Sequence, residues 1–286
     1  MTSPARAGPG HMRVNGVQLC VQTLGDPGDP AILLIMGSAA SMDFWEDEFC
    51  MRLRRGGRFV IRYDHRDTGQ SVSYPPGAPG YTGDDLVADA VGIIAALGLE
   101  RAHLVGMSMG GALAQVAALD YPDRVASLTL IATSPAGPAE DLPGMAERAR
   151  AALAVPRPAI DDRPALLDYL TGYSRAVASA NRPFDEAATR AVWERALDRA
   201  ANVESSLGNH DVLEGGEPWR HRLPQLRVPT LVIHGSDDPF LPYEHGVALA
   251  REIPGAELLT LPDTGHELPP ATWDVVVPAI LEHTAR

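Results

Sequence analysis

The chain has no lysine: all 24 of its Lys-or-Arg positions are arginine, a bias that reads as genome composition and not as chemistry. Cysteine is nearly as scarce. Cys20 and Cys50 stand alone, which excludes a disulfide framework and gives no metal-ligand spacing. No apolar run approaches the length of a membrane span. The opening stretch from Met1 to Gly10 lacks the apolar centre of a signal peptide. A loose tail over residues 1–11 and a cytoplasmic setting are therefore expected. Positive charge is outweighed, with a formal net charge of −13 and a pI near 5.1, so nucleic acid and anionic membrane are excluded as partners. What remains is ordinary for a soluble globular chain: 45% hydrophobic and 21% charged residues over 286 positions. That length suits one large α/β domain, or a core with an inserted subdomain.

Short apolar runs alternate with helical patterns. Val17 to Thr23 alternates apolar and polar residues behind Asn15-Gly16, which predicts an opening hairpin. Buried strands are predicted at Ala31–Met36, Arg58–Asp64, Ala102–Val105 and Ala126–Ala132, with helices at Asp43–Arg55, Asp84–Leu97 and Ala112–Leu119 between them. Strand and helix in alternation mean a parallel sheet flanked by helices. From about Pro135 to Leu226 the rhythm fails. This stretch holds helical pieces broken by Pro138, Pro143, Pro156, Pro158, Pro164, Pro183 and Pro218, and it reads as a helical cap (135–226) inserted into a core of 12–134 and 227–286. Its aromatic residues, among them Tyr169, Tyr173, Phe184, Trp193 and Trp219, are candidates for a pocket roof, or for the cap's own core. Alternation resumes at Val228–His234, a helix from Tyr243 to Ile253, Ala256–Leu261 and a last helix from Thr272 to Thr284.

Gly106-Met107-Ser108-Met109-Gly110 sits at a strand-to-helix corner and matches the G-x-S-x-G nucleophile elbow. The corner is sharp enough to strain the serine, so the residues two places either side must lack bulk. The helix start beneath the hydroxyl then favours developing negative charge. Other strand ends supply partners: His234 runs into Gly235-Ser236-Asp237-Asp238-Pro239, Leu261 into Pro262-Asp263-Thr264-Gly265-His266, and Met36 into Gly37-Ser38. His266 is the candidate base. Asp237 and Asp238 compete for the acid, since adjacent residues point in different directions and only one can orient His266. Asp64, Arg66, Asp67 and Ser71 form a polar loop read as structural, satisfying backbone groups beneath the site. A metal site from His65, Asp64 and Asp67 has no paired-histidine spacing behind it.

The chain order Ser108, Asp, His266 is that of the α/β-hydrolases. With Gly106–Gly110, Gly235–Pro239 and Gly265-His266, the chain resembles that superfamily over nearly its whole length outside the cap. Tyr63-Asp64-His65-Arg66-Asp67-Thr68-Gly69 and Met36-Gly37 further resemble the aclacinomycin methylesterase group, whose members hydrolyse a methyl ester on a polycyclic polyketide without a cofactor. The resemblance implies an α/β-hydrolase fold and favours Asp238 as the acid. It also implies backbone N–H groups of Ser38 and Met109 as oxyanion donors, no metal, and a small-molecule ester, bulky and apolar, as substrate. Gly37, Trp45, Tyr173 and Trp193 are the expected substrate contacts. The rival readings are hydrolysis of a carbon–carbon bond or lactone by the same triad, and a ligand-binding sensor of little turnover, for which an intact triad has no use.

Overall fold

The computed structural model describes residues 8–135, 140–213 and 216–285. The opening hairpin pairs β1 (Gly10–Val14) with β2 (Val17–Leu24). Its turn residues Asn15 and Gly16 both take positive φ, 48° and 83°, which suits the right-handed twist of the strands it joins. β1 begins at Gly10, so the tail expected over 1–11 overlaps a strand; residues 1–7 lie outside the described residues.

Six further strands follow: β3 (Ala31–Ile35), β4 (Phe59–Tyr63), β5 (Ala102–Met107), β6 (Val125–Ile131), β7 (Thr230–Gly235) and β8 (Glu257–Leu261). Together they make one sheet in the order β1-β2-β4-β3-β5-β6-β7-β8. β2 meets β1 and β4 antiparallel, and every other pairing is parallel. β3, β4, β5 and β7 are buried along their whole length, as apolar runs covered by helices on both faces must be. One face carries α2 (Gly83–Ala96), α3 (Met109–Asp120) and α8 (Glu244–Glu252). The other carries α1 (Asp47–Arg55) and α9 (Trp273–His283). The chain runs from β3 outward to β4, then returns to the other side of β3 as β5. That reversal opens a crevice at the carboxyl ends of β3 and β5.

Between β6 and β7 the described residues contain helices and no strand: α4 (Glu147–Leu153), α5 (Arg163–Val177), α6 (Glu186–Arg199) and α7 (Val203–Gly208), then short 3-10 turns at Asn209–Val212 and Arg220–Gln225. Leu166, Leu167, Leu170, Trp193, Leu197 and Leu207 form a small apolar core within this insertion. Pro138 lies outside the described residues. Near the end of the stretch read as a cap, Leu223 and Leu226 are buried in the sheet's core cluster and Trp219 packs against it. The single helix expected over Asp43–Arg55 is interrupted. A 3-10 turn covers Met42–Phe44 and α1 starts only at Asp47, because the buried Arg62 guanidinium takes the Trp45 carbonyl and Asp64 takes the Met42 N–H.

Candidate active site

Ser108 directly follows β5 and is the residue immediately before α3, at φ 54° and ψ −121°. No serine sits there without constraint. The strain is held by close backbone packing: a Cβ on Gly106 would lie 2.3 Å from the Gly110 carbonyl oxygen, and one on Gly110 would lie 2.1 Å from that of Ile35. Thr133 donates its hydroxyl to the Ser108 carbonyl at 2.8 Å, and the Ser108 N–H reaches Ile131 O at 3.0 Å. The nucleophile candidate is thus fixed from β6 as well as from its own turn.

His266 Nε2 lies 3.0 Å from Ser108 Oγ, and Nδ1 lies 2.9 Å from Asp238 Oδ2. A carboxylate only accepts, so Nδ1 carries the proton and Nε2 faces the hydroxyl as an acceptor. The other carboxylate oxygen, Asp238 Oδ1, takes the N–H groups of Phe240 and Leu241, both at 2.9 Å. The Asp238 side chain is fully buried and the His266 side chain is 10% exposed. Asp237 faces elsewhere: its Oδ2 accepts from Ser179 Oγ at 2.7 Å and from Ala180 N at 2.9 Å, with Arg148 at 3.5 Å. It clasps the cap. Phe240, which no sequence signal singled out, sets its ring 4.8 Å from the His266 imidazole.

Gly37 brings the end of β3 against the nucleophile, where a Cβ would sit 3.3 Å from Ser108 Cβ. Met109 is the first residue of α3, and the first N–H groups of a helix have no acceptor within it. Both flank a cavity of about 1190 Å³ floored by Met36, Gly37, Ser108 and His266 and roofed from the cap by Tyr169, Tyr173, Phe184 and Trp193. Trp193 also belongs to the cap's core, edge-on to Phe44 at 4.7 Å. Two of the aromatic candidates lie away from this cavity. Trp45 is 1% exposed and stacks on Phe49 in the core, and its neighbours Phe44 and Glu46 line the cavity instead. Trp219 lies outside the roof, bonding Gln115 of α3 through its indole N–H.

The polar loop after β4 does more than satisfy its own backbone. Asp64, fully buried, accepts from Met42 N and Gln70 N and also holds Arg199 of α6 at 2.6 Å, while Arg199 reaches Asp43 too. Asp67 takes Tyr81 OH at 2.7 Å and the Asn209 amide at 2.8 Å. Arg66 pairs with Asp89. The loop is where the cap is bolted to the sheet. Among the described residues no group of three or more His, Cys, Asp or Glu is placed to hold a metal ion, and no helix is long and apolar enough to cross a membrane.

Four buried imidazoles carry a stability consequence. Burial lowers His65 to about 3 and His103 to about 4, and it lowers His210 and His234 as well. The unfolded chain takes up these protons below pH 6.5 and the folded chain does not, so this stability is complete above 6.5 and is lost as pH falls toward 3. His65 and His103 together should remove about 3 kcal/mol at pH 5.5 relative to pH 7.5. Urea unfolding at the two pH values measures it; equal stabilities would mean that the imidazoles are not held neutral.

Comparison with known proteins fits this geometry. Residues 30–269 match the alpha/beta hydrolase fold family. The chain is 33% identical to rhodomycin D methylesterase DauP of Streptomyces sp. (strain C5), over 94% of this chain and 95% of that protein. This bears out the resemblance to the methylesterase group. It is 30% identical to a 2-hydroxy-6-oxononadienedioate/2-hydroxy-6-oxononatrienedioate hydrolase of Burkholderia vietnamiensis, over 84% and 81% of the two chains. Among solved structures, the Exiguobacterium antarcticum esterase superposes with a TM-score of 0.78 at 21% identity, covering 96% of this chain and 99% of that one. The Burkholderia xenovorans LB400 enol-lactonase gives 0.74 at 22%, covering 97% and 100%. These two likenesses concern the fold alone.

Proposed function

The chain belongs to the alpha/beta hydrolase fold family, and from that premise we propose that it is a serine hydrolase of carboxylic esters that cleaves a methyl ester on a large, mostly apolar, polyketide-like ring system. The observation that carries the reading is the Ser108–His266–Asp238 chain of hydrogen bonds, at 3.0 and 2.9 Å, opening on a cavity of about 1190 Å³. His266 Nε2 takes the Ser108 proton as Oγ attacks the ester carbonyl. The negative oxygen that forms is met by the Ser38 and Met109 N–H groups, and Asp238 stabilises the imidazolium. His266 returns the proton to the departing methoxy oxygen, leaving an acyl-enzyme and methanol. A water, deprotonated by the same nitrogen, then frees the acid and restores Ser108. Apart from the substrate and one water, every step uses the chain's own groups, and the reading includes the cytoplasmic setting expected from the sequence.

The size of the cavity supports a large substrate, since drug-sized ligands occupy pockets of about 300–1,000 Å³. At about 25 cal/mol per Å² of apolar surface, a multi-ring ligand hiding a few hundred Å² gains several kcal/mol gross. Part of that can position the ester and raise kcat. The methylesterase relatives support the ester over the alternatives, matching more of the chain at higher identity than the dienedioate hydrolase does. The test compares kcat/KM for a polycyclic methyl ester with that for p-nitrophenyl acetate, corrected for leaving-group reactivity. The polycyclic ester should lead by about 100-fold, the equivalent of about 2.7 kcal/mol. Equal values would mean that the cap builds no large-substrate pocket, and faster turnover of 2-hydroxy-6-oxononadienedioate would favour carbon–carbon cleavage.

A further inference from the structure

The loop that carries the Ser38 N–H is gripped at both ends by buried histidines, and only one of them belongs to the sheet domain. His65, just beyond β4, donates its Nε2–H to the Met36 carbonyl at 2.9 Å. His210, in the 3-10 turn that ends the cap's helical stretch, lies 3.1 Å from the Ala39 N–H through its Nδ1. The two rings meet edge to face at 5.9 Å. His210 Nε2 lies 3.0 Å from the Arg66 carbonyl, an acceptor, so Nε2 carries the proton and Nδ1 is left bare to receive Ala39. Its neighbour Asn209 is pinned by Asp67 at 2.8 Å and by the Gly77 N–H at 2.7 Å, so the turn that presents the imidazole is itself fixed.

Ala39 gives this contact its meaning. It holds φ at 57°, in the left-handed region that a non-glycine residue enters at a cost. The bend comes directly after Gly37 and Ser38, where a Cβ on Gly37 would lie 3.3 Å from Ser108 Cβ. The Ala39 N–H belongs to the peptide group next to the one bearing the Ser38 N–H, so fixing the first restricts the rotation of the second.

We propose that His210 is a positioning residue for ester hydrolysis: from the cap, its bare Nδ1 holds the Ala39 N–H and so aims the Ser38 N–H at the developing oxyanion. This rests on the ester-hydrolase reading above. It makes oxyanion stabilisation depend on a docked cap, because the same insertion that roofs the cavity also sets one of the two donors. His210 touches neither substrate nor the reacting atoms. Its effect belongs to the transition state, where the carbonyl oxygen becomes charged, and not to ground-state binding.

The test uses the full chain with p-nitrophenyl acetate as substrate and phenylboronic acid as a tetrahedral adduct of Ser108. Complete loss of one oxyanion donor costs about 10²–10³ in kcat, and a donor that is present but poorly aimed should cost less. His210→Ala should lower kcat by about 10- to 100-fold with KM within about threefold, and phenylboronic acid affinity should fall with kcat/KM. His210→Asn places an amide oxygen where Nδ1 stood and should restore most of kcat. His210→Gln reaches Arg66 O but not Ala39 N, and should not. A merely structural histidine would not separate the two amides, since either would be judged by the melting temperature alone. His210→Ala with kcat within twofold of wild type, or equal kcat for Asn and Gln, overturns the proposal. If His210→Ala fails to fold, the Asn and Gln pair still decides it. Wild-type protein that cleaves no ester overturns the ester reading and this one together; wild-type turnover with the two amides indistinguishable overturns this one alone.

Discussion

Ser108→Ala should lower kcat by about 10⁴–10⁶-fold and leave the fold in place. The size follows from what the hydroxyl does: without Oγ there is no acyl-enzyme, and His266 has nothing to deprotonate but water. The small effect on folding follows from geometry. Alanine meets the same backbone demand at φ 54°, and the substitution forfeits one hydrogen bond, from Oγ to His266 at 3.0 Å, worth about 1 kcal/mol. A fluorophosphonate probe should label wild-type protein at Ser108 and leave the variant unlabelled. Turnover near the wild-type rate in a folded Ser108→Ala protein would sink the mechanism.

Asp238→Asn should cost about 10⁴-fold in kcat, while its neighbour Asp237→Asn should cost tenfold or less in kcat/KM. The reason for the first lies in the two N–H groups of Phe240 and Leu241, which fix an oxygen at the Oδ1 position. An asparagine keeps its oxygen there and turns its NH₂ toward His266. The imidazole must then accept at Nδ1 and carry its proton on Nε2, the wrong tautomer to take a proton from Ser108. Asp237 binds Ser179 and Ala180 of the cap and pairs weakly with Arg148. Its loss should loosen the roof and show first in KM. Steady-state kinetics on the two variants separate these outcomes, and the reverse ranking would reassign the acid.

The frame of this molecule is written locally. β3, β5 and β7 are apolar runs with turns at their carboxyl ends, and a run such as Ala31–Ile35 has no stable home except between two layers of helices. Ser108, His266 and the Asp237-Asp238 pair were legible for the same reason, because each lies on the loop or turn just beyond a strand's carboxyl end and those ends converge in a sheet of this winding. The cap was legible as an interruption and not as a structure. In the sequence Trp45 reads as a substrate contact and Trp219 as a candidate roof residue, yet one stacks on Phe49 in the core and the other packs on α3. Which way an indole points depends on contacts far along the chain, here the Arg62 guanidinium that breaks the helix after Phe44 and the burial of Leu223 and Leu226 under the sheet. His210 carried no signal at all. Its partners Ala39 and Arg66 are 171 and 144 residues away.

The hydrogen bond between Ser108 and His266 spans 158 residues, with the whole cap threaded between its two ends. Closing so long a loop costs chain entropy that nothing local repays, so this contact is expected to form only once the strands either side of the insertion have registered. A chain that stalls partway holds an exposed serine and a distant imidazole, and neither is reactive alone. On the proposed mechanism, half-made copies are expected to leave esters intact, so that turnover doubles as a certificate of complete folding.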